Sequence, residues 1–165
     1  MVLQGKAWKF GDDISTDHIA PGRYFHLRSN LPELAKHVLE DAKPDFAREM
    51  NKGDFVVAGK NFGLGSSREH APIIMKIAGI NAVLAKSFAR IFYRNAINVG
   101  LLAIVCDTDE IKEGDELEVN VEKGEIRNKS KGVKFFFSSL PPIMRNILNN
   151  GGLVAYVNKY GDFKL

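Results

Sequence analysis

The chain has 165 residues, 45% of them hydrophobic and 26% charged, with a net charge of +3. That size buries a core without staples, and the single cysteine, Cys106, excludes an internal disulfide and any thiolate cage built from this chain alone. The charge excess is slight, and its densest basic stretch, Arg127–Lys134 (RNKSKGVK), has no aromatic residues interleaved for stacking on bases; it reads as a solvated turn rather than a nucleic-acid surface.

The N-terminal MVLQGKAWKF carries lysines and no long apolar run, so no signal peptide is expected. Nothing approaches the length of a membrane span, and the cytoplasm is the default location. Residues 5–10 alternate loosely and predict a strand. The stretch GDDISTDHIAPGRY predicts an irregular loop, since Asp, Ser, Gly and Pro discourage regular structure. A helix follows from Leu31, with Ser29 or Asn30 as cap, Pro32 in its first turn and Leu34, Val38 and Leu39 as its apolar face. Pro44 ends it, and a short helical piece covers Asp45–Met50.

Asp54–Ala58 (DFVVA) predicts a buried strand. After the glycine-rich loop Gly59–Ser66 comes a helix over Ser67–Ala78 that closes at Gly79, a typical C-terminal glycine. Ala82–Lys86 is a second strand, Phe88–Asn98 a helix capped by Ser87 and ended at Gly100, and Leu101–Val105 a third strand. This spacing implies parallel strands with right-handed crossovers. Glu116–Val121 and Val133–Phe137 then read as antiparallel strands, Ile143–Leu148 as a helix opened by Pro141 and Pro142, and Leu153–Val157 as a last strand. The expected fold class is α/β in one domain, residues 1–165, with a parallel βαβαβ core and antiparallel C-terminal strands in a mixed sheet.

The loop Gly59–Pro72, GKNFGLGSSREHAP, leaves a strand and enters a helix. Its glycines permit close approach of a ligand, the helix start offers unpaired N–H groups beside the positive dipole end, and Arg68 brings a fork suited to a carboxylate. A helix cap accounts for one serine but not for two glycines, two serines and an arginine. The Walker pattern fails because no lysine follows the second glycine; the dinucleotide pattern fails because its third glycine falls at Arg68. The G-x-S-x-G elbow of serine hydrolases is absent too. Chemistry alone leaves a carboxylate-binding loop at the carboxyl end of a strand.

The same run resembles the signature of the swivelling domain of the aconitase superfamily. It looks most like the stand-alone small subunits of 3-isopropylmalate dehydratase and homoaconitase. Asp12–Ala20 (DDISTDHIA) resembles the family's TDHI segment, and Ala85–Arg94 (AKSFARIFYR) its KSFARIF segment, in the family's order. The likeness covers most of residues 5–106 and thins out beyond. One departure is Leu64, where many relatives carry cysteine or glutamate. The resemblance implies a swivelling β/β/α domain and a hydro-lyase acting on a dicarboxylate hydroxy acid. It also implies Ser67 as catalytic base and Asp17 as an active-site aspartate, with Ser66, Arg68 and Arg28 binding substrate. The required [4Fe–4S] cluster is expected on a partner large subunit, since this chain has one cysteine. No metal or cofactor ligand is assigned to this chain. Phe25 and Leu27, beside Arg28, suit an isopropyl group, while Ser29 and His26 suit a further carboxylate; 3-isopropylmalate is the preferred substrate. A free subunit exposing its docking face could self-associate.

Overall fold

The computed structural model describes residues 1–162. Seven strands form one sheet in the order β4-β3-β2-β1-β5-β6-β7. They are β1 (Val2–Lys9), β2 (Phe55–Ala58), β3 (Ala82–Ala85), β4 (Leu102–Val105), β5 (Glu116–Asn120), β6 (Glu125–Asn128) and β7 (Val133–Phe136). The first four run parallel, and β5 lies antiparallel on β1. The α/β class with its mixed sheet is as expected.

Strand β1 is shared between two half-sheets. Ala7–Lys9 pair with Phe55–Val57 of β2, and Val2–Lys6 pair with Asn120–Glu116 of β5. The strand therefore starts earlier than residue 5, because β5 gives its first residues a partner that lies far away in sequence. At the hand-over, a Cβ on Gly5 would stand 2.0 Å from the Gly53 carbonyl oxygen, so only glycine fits. Asp54, buried just before β2, accepts from the Lys6 N–H at 3.1 Å, the Trp8 indole at 2.9 Å and the Asn51 N–H at 2.8 Å. Its carboxylate fastens β1 to the start of β2.

Strands β2 and β3 are buried along their whole length, since both faces of the parallel half are covered. Val56, Ala58, Val83 and Ala85 pack beneath Leu34, Ile74, Met75 and Phe92 on the helical side. Phe55, Val57, Leu84 and Ile104 pack with Leu117, Val119 and Ile126 from the antiparallel half, which curls over that face. The helices are α1 (Thr16–Ile19), α2 (Leu31–Ala35), α3 (Phe46–Glu49), α4 (His70–Ala78), α5 (Arg90–Val99), α6 (Pro142–Asn149) and α7 (Leu153–Tyr160), with a 3-10 turn over Gly22–Leu27.

Several boundaries differ from the sequence expectation. Helix α2 stops after Ala35 because Leu39 turns into a left-handed conformation, with φ 56°, to donate its N–H to the Ile19 carbonyl at 3.0 Å. Leu153–Val157 is not a strand but part of α7: Leu153, Tyr156 and Val157 lie at helical spacing and cover Ile97 and Ile147. Strand β6 escaped prediction because charged residues alternate there with the inward Ile126 and Asn128. The basic stretch is the β6–β7 hairpin, its charges answered by Glu118 and Glu125. Among the described residues no helix is long and apolar enough to cross a membrane.

Candidate active site

The glycine loop is clamped between the two other segments that carried the family likeness. On one side the Lys60 N–H donates to Asp12 Oδ1 at 2.7 Å, Gly63 N–H to the Ile14 carbonyl at 2.7 Å, and Thr16 N–H to the Leu64 carbonyl at 2.9 Å. On the other, Phe62 N–H donates to the Ser87 carbonyl at 3.0 Å and Ala89 N–H to the Phe62 carbonyl at 2.9 Å. The Phe62 ring meets Phe88 and Phe92 edge-on, with centroids 6.0 and 5.2 Å apart. The loop is thus held by main chain on both edges and by an aromatic plug below.

Two glycines make this clamp sterically possible. Gly63 has φ 85°, and a Cβ there would lie 2.2 Å from the Phe92 ring. Gly65 has φ 109°, and a Cβ there would sit 3.1 Å from Thr16 Oγ1. With no side chain intervening, Thr16 and Ser66 bring their hydroxyl oxygens to 3.3 Å.

Helix α4 begins at His70, three residues later than the sequence suggested. The reason is Pro72, whose ring would collide with the Arg68 carbonyl if residue 68 were helical. Ser66 and Ser67 consequently lie ahead of the helix in an exposed segment, with the Arg68 N–H donating to the Ser66 carbonyl at 2.8 Å. The helix start is a weaker anion site than expected: Pro72 has no N–H, and that of Ala71 is used by the Arg68 carbonyl at 3.2 Å. Positive charge next to the two serines comes from Arg68 itself. Ser87 is not a helix cap either; its hydroxyl accepts from the Asn61 N–H at 2.7 Å, and α5 waits until Arg90 because Phe88 and Ala89 are tied to Phe62.

Arg68 is three-quarters buried, forms an ion pair with the Asp17 carboxylate and donates to the Ala20 carbonyl at 3.2 Å. Both contacts use Nη1, leaving the other guanidinium edges for an incoming carboxylate. Asp17 sits in α1, whose Ser15 cap and His18 ring form a reciprocal capping box. His18 therefore serves the turn that presents Thr16 and Asp17. Beside Arg68, the His70 imidazole is held below its ordinary pKa by burial and by the Arg68 charge, so it is neutral at neutral pH.

The structure thus brings together Asp17, Ser66 and Arg68, with Ser67 next in chain. It does not join Arg28 to them: that side chain is exposed, folds over the Phe25 ring at 4.2 Å and donates to the Phe25 carbonyl at 3.3 Å. The turn bearing Arg28 is anchored at its base, where Tyr24 stacks on His37 with centroids 3.7 Å apart and Arg23 pairs with Glu40 and Asp41. Sequence reasoning missed Thr16. Its signal was the S-x-x-H spacing of Ser15 and His18, which marks a helix start inside a stretch read as irregular.

The donor set of this chain does not fit an iron–sulfur cluster. Its one thiol, Cys106, lies buried just after β4, and burial followed by the neighbouring Asp107 charge pushes its pKa up to about 12. Among the described residues no three His, Cys, Asp or Glu side chains are grouped to hold a metal ion.

Residues 16–109 match the Aconitase C-terminal domain family. A 3-isopropylmalate dehydratase small subunit of Archaeoglobus fulgidus is 65% identical over the whole of both chains. One from Thermotoga maritima is 61% identical over 98% of each. The crystal structure of 3-isopropylmalate dehydratase (LeuD) from Methanocaldococcus jannaschii superposes with a TM-score of 0.93 at 49% identity, covering 98% of this chain and 96% of that one. The chain belongs to the aconitase C-terminal domain family, among the small subunits of 3-isopropylmalate dehydratase.

Proposed function

We propose that residues 1–165 act as one swivelling domain, the small subunit of a cytoplasmic 3-isopropylmalate dehydratase that interconverts 2- and 3-isopropylmalate by loss and re-addition of water in leucine biosynthesis. The observation that carries this reading is the meeting of Asp17, Ser66 and Arg68 on a loop clamped by the two flanking family segments. A large subunit completes the site, and its [4Fe–4S] cluster supplies the Lewis acid for the departing hydroxyl.

This chain's part is to bind, orient and take a proton. Arg68, steadied by Asp17, grips one substrate carboxylate, and Arg28 turns from Phe25 to take another once the partner closes over the 3-10 turn. Phe25 and Leu27 line the isopropyl group. Ser67 removes the proton from the carbon next to a carboxylate, the C–H electron pair forms the double bond, and hydroxide leaves from the neighbouring carbon. A serine hydroxyl is a weak base at neutral pH, so its alkoxide needs the nearby Arg68 charge and donors aimed at it. Ser66 orients the same carboxylate.

The Thr16–Ser66 contact favours a second assignment, in which Ser66 is the base and Thr16 donates to its alkoxide. Reconstitution with a cluster-bearing large subunit separates the two. Under the first, Ser67→Ala lowers kcat about 1,000-fold or more, while Ser66→Ala chiefly raises KM; under the second the two variants exchange effects. If both alanine variants keep full turnover of 3-isopropylmalate, the catalytic reading fails. Turnover of homoaconitate but not 3-isopropylmalate by the wild-type pair would overturn the substrate.

A further inference from the structure

Away from the glycine loop, at the opposite end of the parallel strands, lies a cavity of about 260 Å³. One face of α6 forms its lid, with Pro142, Arg145, Asn146 and Asn149 at positions i, i+3, i+4 and i+7. Its floor is apolar: Leu3 of β1, Leu102 at the start of β4, Val121 just after β5, and Leu148. Leu102 and Val121 are only 5% and 3% exposed, so the floor is part of the core rather than a surface patch.

The rim has an unanswered charge. Arg145 is half-buried, yet among the described residues no carboxylate, carbonyl or ring engages its guanidinium. The one acid in the cavity wall, Glu122, is turned to the Met1 ammonium at 3.3 Å. Beside Arg145, the side-chain amides of Asn146 and Asn149 also have no protein partner among the described residues. A half-buried arginine with two exposed amides beside it, at the mouth of an apolar cavity, favours an anionic acceptor, and a planar carboxylate matches its fork. The floor selects the other end of the ligand, since apolar walls with a few convergent polar groups are the usual build of a small-molecule site. The volume lies just below the usual range of about 300–1,000 Å³, which suits a small metabolite and is too tight for a nucleotide.

We infer that this cavity is a second ligand site, separate from the catalytic loop, for a small aliphatic monocarboxylate whose carboxylate meets Arg145 and whose hydrocarbon end rests on Leu3, Leu102 and Val121. The site uses none of the groups assigned to the reaction.

Isovalerate is the probe, with isoamyl alcohol (the same hydrocarbon without the carboxylate) and inorganic phosphate (the charge without the hydrocarbon) as comparisons. Saturation-transfer NMR and titration on the full chain should show isovalerate binding and neither comparison competing at equal concentration. Methyl groups of isovalerate should give Overhauser contacts to Leu3, Leu102 and Val121. Arg145→Met should weaken binding about tenfold or more, whereas Arg68→Met should leave it unchanged. Undiminished binding by Arg145→Met overturns the proposal, as does loss of binding in Arg68→Met, which would move the probe to the catalytic loop. Absence of any isovalerate binding to the wild-type chain overturns it as well. The Overhauser contacts need no variant, so the test stands even if a substituted chain folds poorly.

Discussion

His70 occupies an awkward place for a titratable side chain. It opens α4, at the positive end of the helix dipole, and stands beside the Arg68 charge in partly buried surroundings. All three circumstances disfavour the imidazolium. Its folded pKa lies below 6.5, so above that pH neither state binds the proton and the native fold keeps its full stability. As pH falls from 6.5 through the lowered folded value, the unfolded chain gains a proton that the native state takes up only later, and stability declines. Thermal melts of wild type and His70→Gln are therefore expected to diverge as pH falls below 6.5, with wild type losing more; parallel melting curves would remove His70 from the account.

At the level of elements, the glycine loop shows how a substitution far from any hydroxyl can reach the site. Gly63 combines a left-handed backbone with direct contact on the Phe92 ring. Gly63→Ala is expected to cost about 2–5 kcal/mol, the sum of a left-handed alanine and an overpacked aromatic cluster. Gly114→Ala makes the control: its φ is 83° but nothing lies within 4 Å of the added methyl, so only the backbone term of about 1–2 kcal/mol applies. Urea unfolding of both variants measures the difference, and equal losses would show that the Phe92 contact carries no weight. Elements of this kind were legible in the sequence where two signals agreed. Buried β-branched runs with glycine at the following helix end marked β2, β3, β4, α4 and α5. Where local preference and tertiary contact disagreed, the contact won: LVAYV has strand composition but needs its helical face to cover Ile97. Thr16 was hidden because its role depends on a residue far along the chain, Gly65, having no side chain.

For the whole molecule, burial on both faces of the parallel half makes its interior a faithful reporter of global opening. Cys106 sits just after β4 in the same buried cluster as Leu84, Ile104 and Ile111, with its thiol held protonated by a pKa of about 12. The thiolate is the reactive form. Iodoacetamide at mildly alkaline pH is thus expected to modify native protein only at the rate of unfolding, and rapidly in denaturant. Prompt alkylation of the native chain would show that the end of β4 opens by itself.

Strand β1 joins the two half-sheets, and that has a consequence for how the protein is made. Its C-terminal part pairs with β2, beginning at Phe55, but Val2–Lys6 find their partners only in Glu116–Asn120. Strand β1 therefore leaves the ribosome well before its pairing can be completed. Until residue 120 has emerged, half of β1 offers unpaired N–H and C=O groups, the kind of edge on which neighbouring chains add. The strand at the centre of the finished sheet is thus open to wrong partners during synthesis.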